Sequence, residues 1–100
     1  MAGFVQVIQF STSRFDEVEK LYDELQAQRE AGTARRGTLT SDRDHPNQYV
    51  GVVEFDSYES AMENSRRPET SEFASRMAEL CDGPPTFFNL DVLRTWSASS

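Results

Sequence analysis

The segment Tyr49-Val50-Gly51-Val52-Val53-Glu54-Phe55-Asp56 carries apolar side chains on both of its faces. A strand points successive side chains to opposite sides of its sheet. Tyr49, Val53 and Phe55 therefore share one side, and Val50 and Val52 share the other. The opening segment Phe4-Val5-Gln6-Val7-Ile8-Gln9-Phe10 repeats the pattern, with Phe4, Ile8 and Phe10 against Val5 and Val7. Antiparallel sheets commonly leave one face to water. A chain built on these two strands has to cover both faces, and this limits its architecture and its assembly.

The intervening segments supply the cover for one face. Ser11-Thr12-Ser13 breaks the first strand, and Ser13 with Asp16 three residues on marks a helix start with Ser13 as the cap. Phe15, Val18, Leu21, Tyr22 and Leu25 follow at helical spacing, and Gly32 is the expected stop. Thr33 to Thr40 is a weaker strand, whose glycine and two arginines suit an edge position or a bulge. Ser41 to Gln48 is turn chemistry and leads into the two-faced strand. Gly51 marks close packing or a bulge.

After that strand, Asp56-Ser57-Tyr58-Glu59 has the reciprocal capping pattern, and Tyr58, Ala61 and Met62 form a short apolar stripe. Pro68 forces Arg67 out of helical geometry, so the helix breaks there and restarts. The restarted helix carries Phe73, Ala74, Met77, Leu80 and Cys81 on one face, and Gly83-Pro84-Pro85 ends it. Thr86 to Trp96 reads as the last strand, and residues 97–100 as a frayed tail.

The order is β-α-β-β-α-β with the second helix broken at Pro68. This predicts an α+β, ferredoxin-like domain spanning residues 1–100, with a four-stranded antiparallel sheet and both helices on one face. The helices leave the other face bare, and large bare apolar faces mark interfaces. A second copy packed sheet against sheet about a two-fold axis answers the need, so a homodimer is expected.

The composition narrows the partners. A net charge of −7 argues against nucleic acid and anionic lipid, because binding those polyanions rests on basic patches. No run is long enough to span a membrane, and the N-terminus lacks the basic and apolar regions of a signal peptide, so a cytoplasmic protein is expected. The single cysteine, Cys81, excludes an intrachain disulfide and reads as a core filler rather than a reactive thiol. One histidine and one cysteine give no zinc spacing. Neither a glycine-rich phosphate loop nor a nucleophile elbow is present.

The opening strand, the strand-to-helix join Val52-Val53-Glu54-Phe55-Asp56-Ser57-Tyr58-Glu59-Ser60-Ala61 and the closing strand after Gly83-Pro84-Pro85 resemble the dimeric α/β-barrel superfamily. Its antibiotic-biosynthesis-monooxygenase-like branch is the nearest resemblance, over Phe4 to Trp96. The resemblance implies two sheets packed as a dimeric α/β barrel, with a pocket between helices and sheet in each subunit. It also implies a cofactor-independent monooxygenase-like activity on an aromatic or polyketide-like substrate. Haem-degrading relatives place an Asn, a Trp and a His around the pocket. Here the only Trp is Trp96, near the C-terminus, and the only His lies in the mid-chain loop, so that match is not made.

Oxidation without a cofactor needs a base and an apolar cavity. His45 is the one side chain whose ordinary pKa suits a base near neutrality, and it is the candidate catalytic residue. The alternative is a loop histidine that shapes a turn beside Pro46. Tyr49, Asn89 and Arg36 are candidate substrate-binding residues. Their alternatives are a packed aromatic, an amide bonded to a dimer partner and a charge paired with a carboxylate. Gln6, Gln9 and Arg94 pose the same question. A different class of function is also open, namely a non-catalytic dimeric module that binds a small apolar ligand or a partner protein.

Overall fold

The computed structural model describes residues 3–24 and 32–98. Its elements run β1 (Phe4–Ser11), α1 (Phe15–Glu24), β2 (Arg36–Ser41), β3 (Gln48–Phe55), α2 (Tyr58–Ser65), α3 (Pro68–Leu80) and β4 (Thr86–Asp91). The four strands form one sheet in the order β2-β3-β1-β4, with every neighbouring pair antiparallel. This is the ferredoxin-like arrangement expected from the element order. The strands with apolar residues on both sides, β1 and β3, are the two central ones. β2, with its glycine and arginine, is an edge.

Register assigns each side chain to a face. Phe4 pairs with Phe55, Gln6 with Val53, Ile8 with Gly51 and Phe10 with Tyr49, and these residues face the helices. Phe10 and Ile8 pack with Val18 and Leu21 of α1 and Met77 of α3. Phe4 and Phe55 pack with Ala61 of α2. Gly51 is needed here for space. A Cβ at this position would lie 3.1 Å from Ile8 Cγ2 and 3.6 Å from the Tyr22 hydroxyl. The ladder runs past it without interruption, so it marks close packing and not a bulge.

The opposite face carries Val5, Val7, Val50, Val52, Phe88 and Leu90, placed together by the same register. Among the described residues no helix covers it. Phe88 is 41% exposed and Leu90 44%.

Several local expectations are corrected. Ser13 does not cap α1. Its hydroxyl donates to Asp82, and the Arg14 N–H is taken by Thr12 Oγ1 at 2.9 Å. The cap of α2 is Ser57, one residue beyond the expected Asp56, and its Oγ accepts the Ser60 N–H at 3.1 Å. Asp56 pairs with Arg35 instead. Tyr58 is exposed and meets the Phe4 ring edge-on rather than lying inside the stripe. β4 ends at Asp91, not Trp96, because Asp91 pairs with Phe4, the first residue of β1. Beyond the Val92 N–H bond to Gly3 there is no strand left to pair with, and Leu93 and Trp96 are exposed.

The break between α2 and α3 falls where Pro68 requires it, with Arg67 in an extended conformation. Leu25 and the continuation of the first helix towards Gly32 lie outside the described residues, as do the last two positions of the tail. Among the described residues no helix is long and apolar enough to cross a membrane.

Candidate functional site

A cavity of about 200 Å³ lies between the helix-facing side of the sheet and the helices. Gln6 and Ile8 of β1, Val53 and Phe55 of β3, and Phe87 of β4 form its floor, and Tyr22 of α1 and Phe73, Ala74 and Met77 of α3 form its walls. The lining is overwhelmingly apolar. Apart from Gln6 and Tyr22, the polar side chains of the lining gather at the break between α2 and α3, where Asn64, Arg67, Glu69 and Thr70 reach it. The sequence explains this. Ending α2 at Ser65 and restarting at Pro68 puts the last turn of one helix and the first turn of the next beside the same opening.

The Asn64 side chain is oriented by one bond, its Oδ1 accepting the Thr33 N–H at 3.4 Å. Arg67 is the more enclosed of the two charges, with a side chain 23% exposed against 42% for Glu69. They stand 3.9 Å apart, well beyond the roughly 2.7–2.9 Å of a direct charge-assisted hydrogen bond. Gln6 donates from Nε2 to Asn89 Oδ1 at 3.1 Å, which fixes its amide against the floor.

The residues expected to bind and react are dispersed. His45 is in the β2–β3 loop with its side chain 67% exposed, and it is not part of the cavity lining. Its Nδ1 lies 3.0 Å from Asp42 Oδ2. The same loop is held by the Asp44 N–H on Asp42 Oδ1, the Gln48 N–H on the His45 carbonyl and Asn47 at φ 65°, a left-handed conformation that asparagine tolerates. The Asp42 carboxyl is held below its ordinary value, first by the Asp44 N–H and then by His45. This geometry supports the turn-shaping reading of His45.

Tyr49 stacks on Phe15 at 4.4 Å and on Phe10 at 5.5 Å, as a packed aromatic away from the cavity. Arg36 lies on the opposite face of the sheet, where it pairs with Glu54 at 3.5 Å. Asn89 reaches the cavity only through Gln6. Gln9 faces away from the helices, and Arg94 is exposed beyond β4. Cys81 packs half-buried against the core, and burial pushes its thiol pKa up, as suits a core filler.

Sequence reasoning passed over Asn64, Arg67, Glu69 and Thr70 because they sit in an interruption. The available signal was the interruption itself, a polar break in a helix that has to lie on an apolar sheet. A second hollow of about 370 Å³, lined by Gln9, Gln48, Asp82 and Thr86 among others, is more polar and more open. It lacks the enclosure that a small apolar ligand requires.

No sequence-family model and no curated protein matches the chain. Solved structures do. A variant of SnoaB, a cofactor-independent oxygenase from Streptomyces nogalater, superposes with a TM-score of 0.80 at 18% identity, over 93% of this chain and 95% of that one. An antibiotic biosynthesis monooxygenase gives 0.73 at 16% identity, over 91% and 99%. Rv0793 from Mycobacterium tuberculosis gives 0.77 at 17% identity, over 95% and 99%.

Proposed function

From the premise that this chain has the fold of the antibiotic-biosynthesis-monooxygenase-like proteins, we propose that it is a small cofactor-independent oxygenase acting on an aromatic molecule held between helices and sheet. The observation that carries this reading is the cavity: a largely apolar enclosure with polar groups at the α2–α3 break and Gln6 in its floor. Such an enclosure holds a reactive aromatic anion beside dioxygen and keeps bulk water from it.

In this reading the substrate hydroxyl faces the break. Arg67, Asn64 and Gln6 supply the donors for the oxyanion, which are stronger in a low-dielectric site than in water. The proton leaves through Glu69 at the mouth. For a hydroxyarene oxidised to a quinone, the substrate O–H and one ring C–H with one O2 give two C=O groups and one H2O. The O–H and C–H hydrogens both end in water, and all four electrons come from the substrate. The volume of about 200 Å³ is below the roughly 300–1,000 Å³ of drug-sized sites, so one or two fused rings are the fitting size.

We also propose that the working unit is a homodimer. The bare face has an apolar centre, and Arg36 and Glu54 stand together on the same face. Under a two-fold axis such a patch is complementary to itself, apolar centre to apolar centre and Arg36 to the second copy's carboxylate. Dioxygen uptake with one- and two-ring hydroxyarenes tests the catalytic reading. Binding without uptake on any of them favours a non-catalytic ligand-binding module.

A further inference from the structure

We infer that Phe87 is a specificity-determining residue of the cavity, holding the outer ring of a fused two-ring substrate by stacking. The inference rests on the reading of the cavity as an aromatic site and adds which ring system it prefers. Phe87 pairs with Ile8 across β1 and β4, so it shares the helix-facing side of the sheet and lines the cavity, while its neighbour Phe88 points to the bare face. Every residue of β4 is exposed, so among the described residues no helix closes over this strand. Phe87 is accordingly 61% exposed although it lines an apolar cavity. A second copy seated on the bare face would not cover it, since it lies on the other side of the sheet.

The other aromatic side chains of the lining are occupied. Tyr22 and Phe73 meet edge-on with centroids 5.2 Å apart, and Phe55 is buried in the core. Among the described residues no ring stands against Phe87. Register sets the spacing. Gln6 is level with Asn89, and Phe87 lies two residues along β4 from that pair. At roughly 3.4 Å per residue, Phe87 is about 7 Å further along the strand direction than Gln6. A hydroxyl bonded to Gln6 therefore puts the first ring against Ile8, Phe73 and Met77 and carries the second towards Phe87, where the helices no longer cover the sheet. An aromatic ring gains from an offset-stacked or edge-on aromatic partner, and a saturated ring of similar size does not supply that contact.

The outer ring gives the test. Binding of 1-naphthol, of the tetrahydro-1-naphthol whose outer ring is saturated, and of phenol is measured by titration calorimetry on the wild-type protein, Phe87→Leu and Phe87→Tyr. Wild type is expected to bind the naphthol about fivefold tighter than its saturated analogue, the order that one aromatic contact provides. Phe87→Leu erases that preference and leaves phenol unchanged, and Phe87→Tyr keeps it. Equal binding of the two bicyclic probes by wild type, a preference that survives Phe87→Leu, or a parallel loss of phenol binding in that variant overturns the inference and leaves the cavity reading standing. Failure of all three probes to bind overturns both. Phe87 is exposed, so both variants are expected to fold, and circular dichroism on each separates a lost contact from a lost fold.

Discussion

Gln6 and Asn89 face each other across β1 and β4 on the helix side of the sheet, and the amide of one donates to the amide of the other at 3.1 Å. One of them lines the cavity and the other does not. Asn89 is thus a positioning residue for Gln6. Asn89→Ala is expected to lower stability by no more than about 1 kcal/mol, since the bond is exposed. It should weaken ligand binding through Gln6, and Asn89→Asp, which keeps the acceptor oxygen, should restore it. Denaturant unfolding and the same calorimetric titration read the two effects separately.

Thr12 is fully buried, with 0% exposure, and serves two backbone groups at once. Its Oγ1 donates to the Leu80 carbonyl at 2.6 Å and accepts the Arg14 N–H at 2.9 Å, joining the start of α1 to the end of α3. Thr12→Val keeps the shape and removes both bonds. A loss of about 1–3 kcal/mol is expected, because two part-buried backbone groups lose their partner. Urea denaturation measures it, and a loss below 1 kcal/mol would show that water replaces the hydroxyl.

Gly51→Val should destabilise the fold by about 1–3 kcal/mol through overpacking against Ile8 and Tyr22. Ile8→Ala on top of it should recover part of the loss, since it removes the Cγ2 atom that the new side chain meets at 3.1 Å. Strict additivity of the two changes in a double-mutant cycle would contradict the contact.

The pH dependence of the β2–β3 loop follows from Asp42. Its folded pKa is depressed, so it contributes stability at pH values above its ordinary 3.8, and that contribution is lost as the pH falls through the folded value. The larger cause is the Asp44 N–H, with His45 second. His45→Ala should therefore raise the Asp42 pKa only partway, still below 3.8, as read by carbon-detected NMR titration. Since His45 is outside the cavity lining, the same variant should leave dioxygen uptake within about twofold of wild type. Abolished uptake would return the histidine to the role of base.

Much of the fold was legible because its signals are local or periodic. Phe4 to Phe10 and Tyr49 to Phe55 announced two-faced strands, Pro68 announced the helix break, and Gly37 with Arg36 announced an edge. Boundaries that depend on a partner were not legible. Where β4 stops is decided by where β1 begins, and nothing within Val92 to Trp96 reveals that Phe4 is the last residue to pair with. The site was less legible for a related reason. His45 stood out by its chemistry, yet a loop's position relative to a cavity is a property of the assembled sheet. Asn64, Arg67 and Glu69 looked like punctuation and converge only once both helices lie on the sheet.

The bare sheet face leads to a prediction about mass. Light scattering across a dilution series should give twice the 11.4 kDa chain mass. Val7→Lys, at the centre of the apolar patch, should return it to the chain mass without loss of helix or strand signal. A wild-type monomer at micromolar concentration would mean that the face is tolerated in water.

The most direct test of the central claim is dioxygen consumption, followed with an oxygen electrode on a panel of one- and two-ring hydroxyarenes, by the wild-type protein and by Ala74→Trp. Ala74 is exposed and lines the cavity wall, so an indole there narrows the cavity without replacing a core side chain. Enzyme-dependent uptake by wild type is expected, with one O2 consumed per quinone formed, and its loss in Ala74→Trp. Uptake equally fast in both proteins, or none by wild type on any member of the panel, would contradict it.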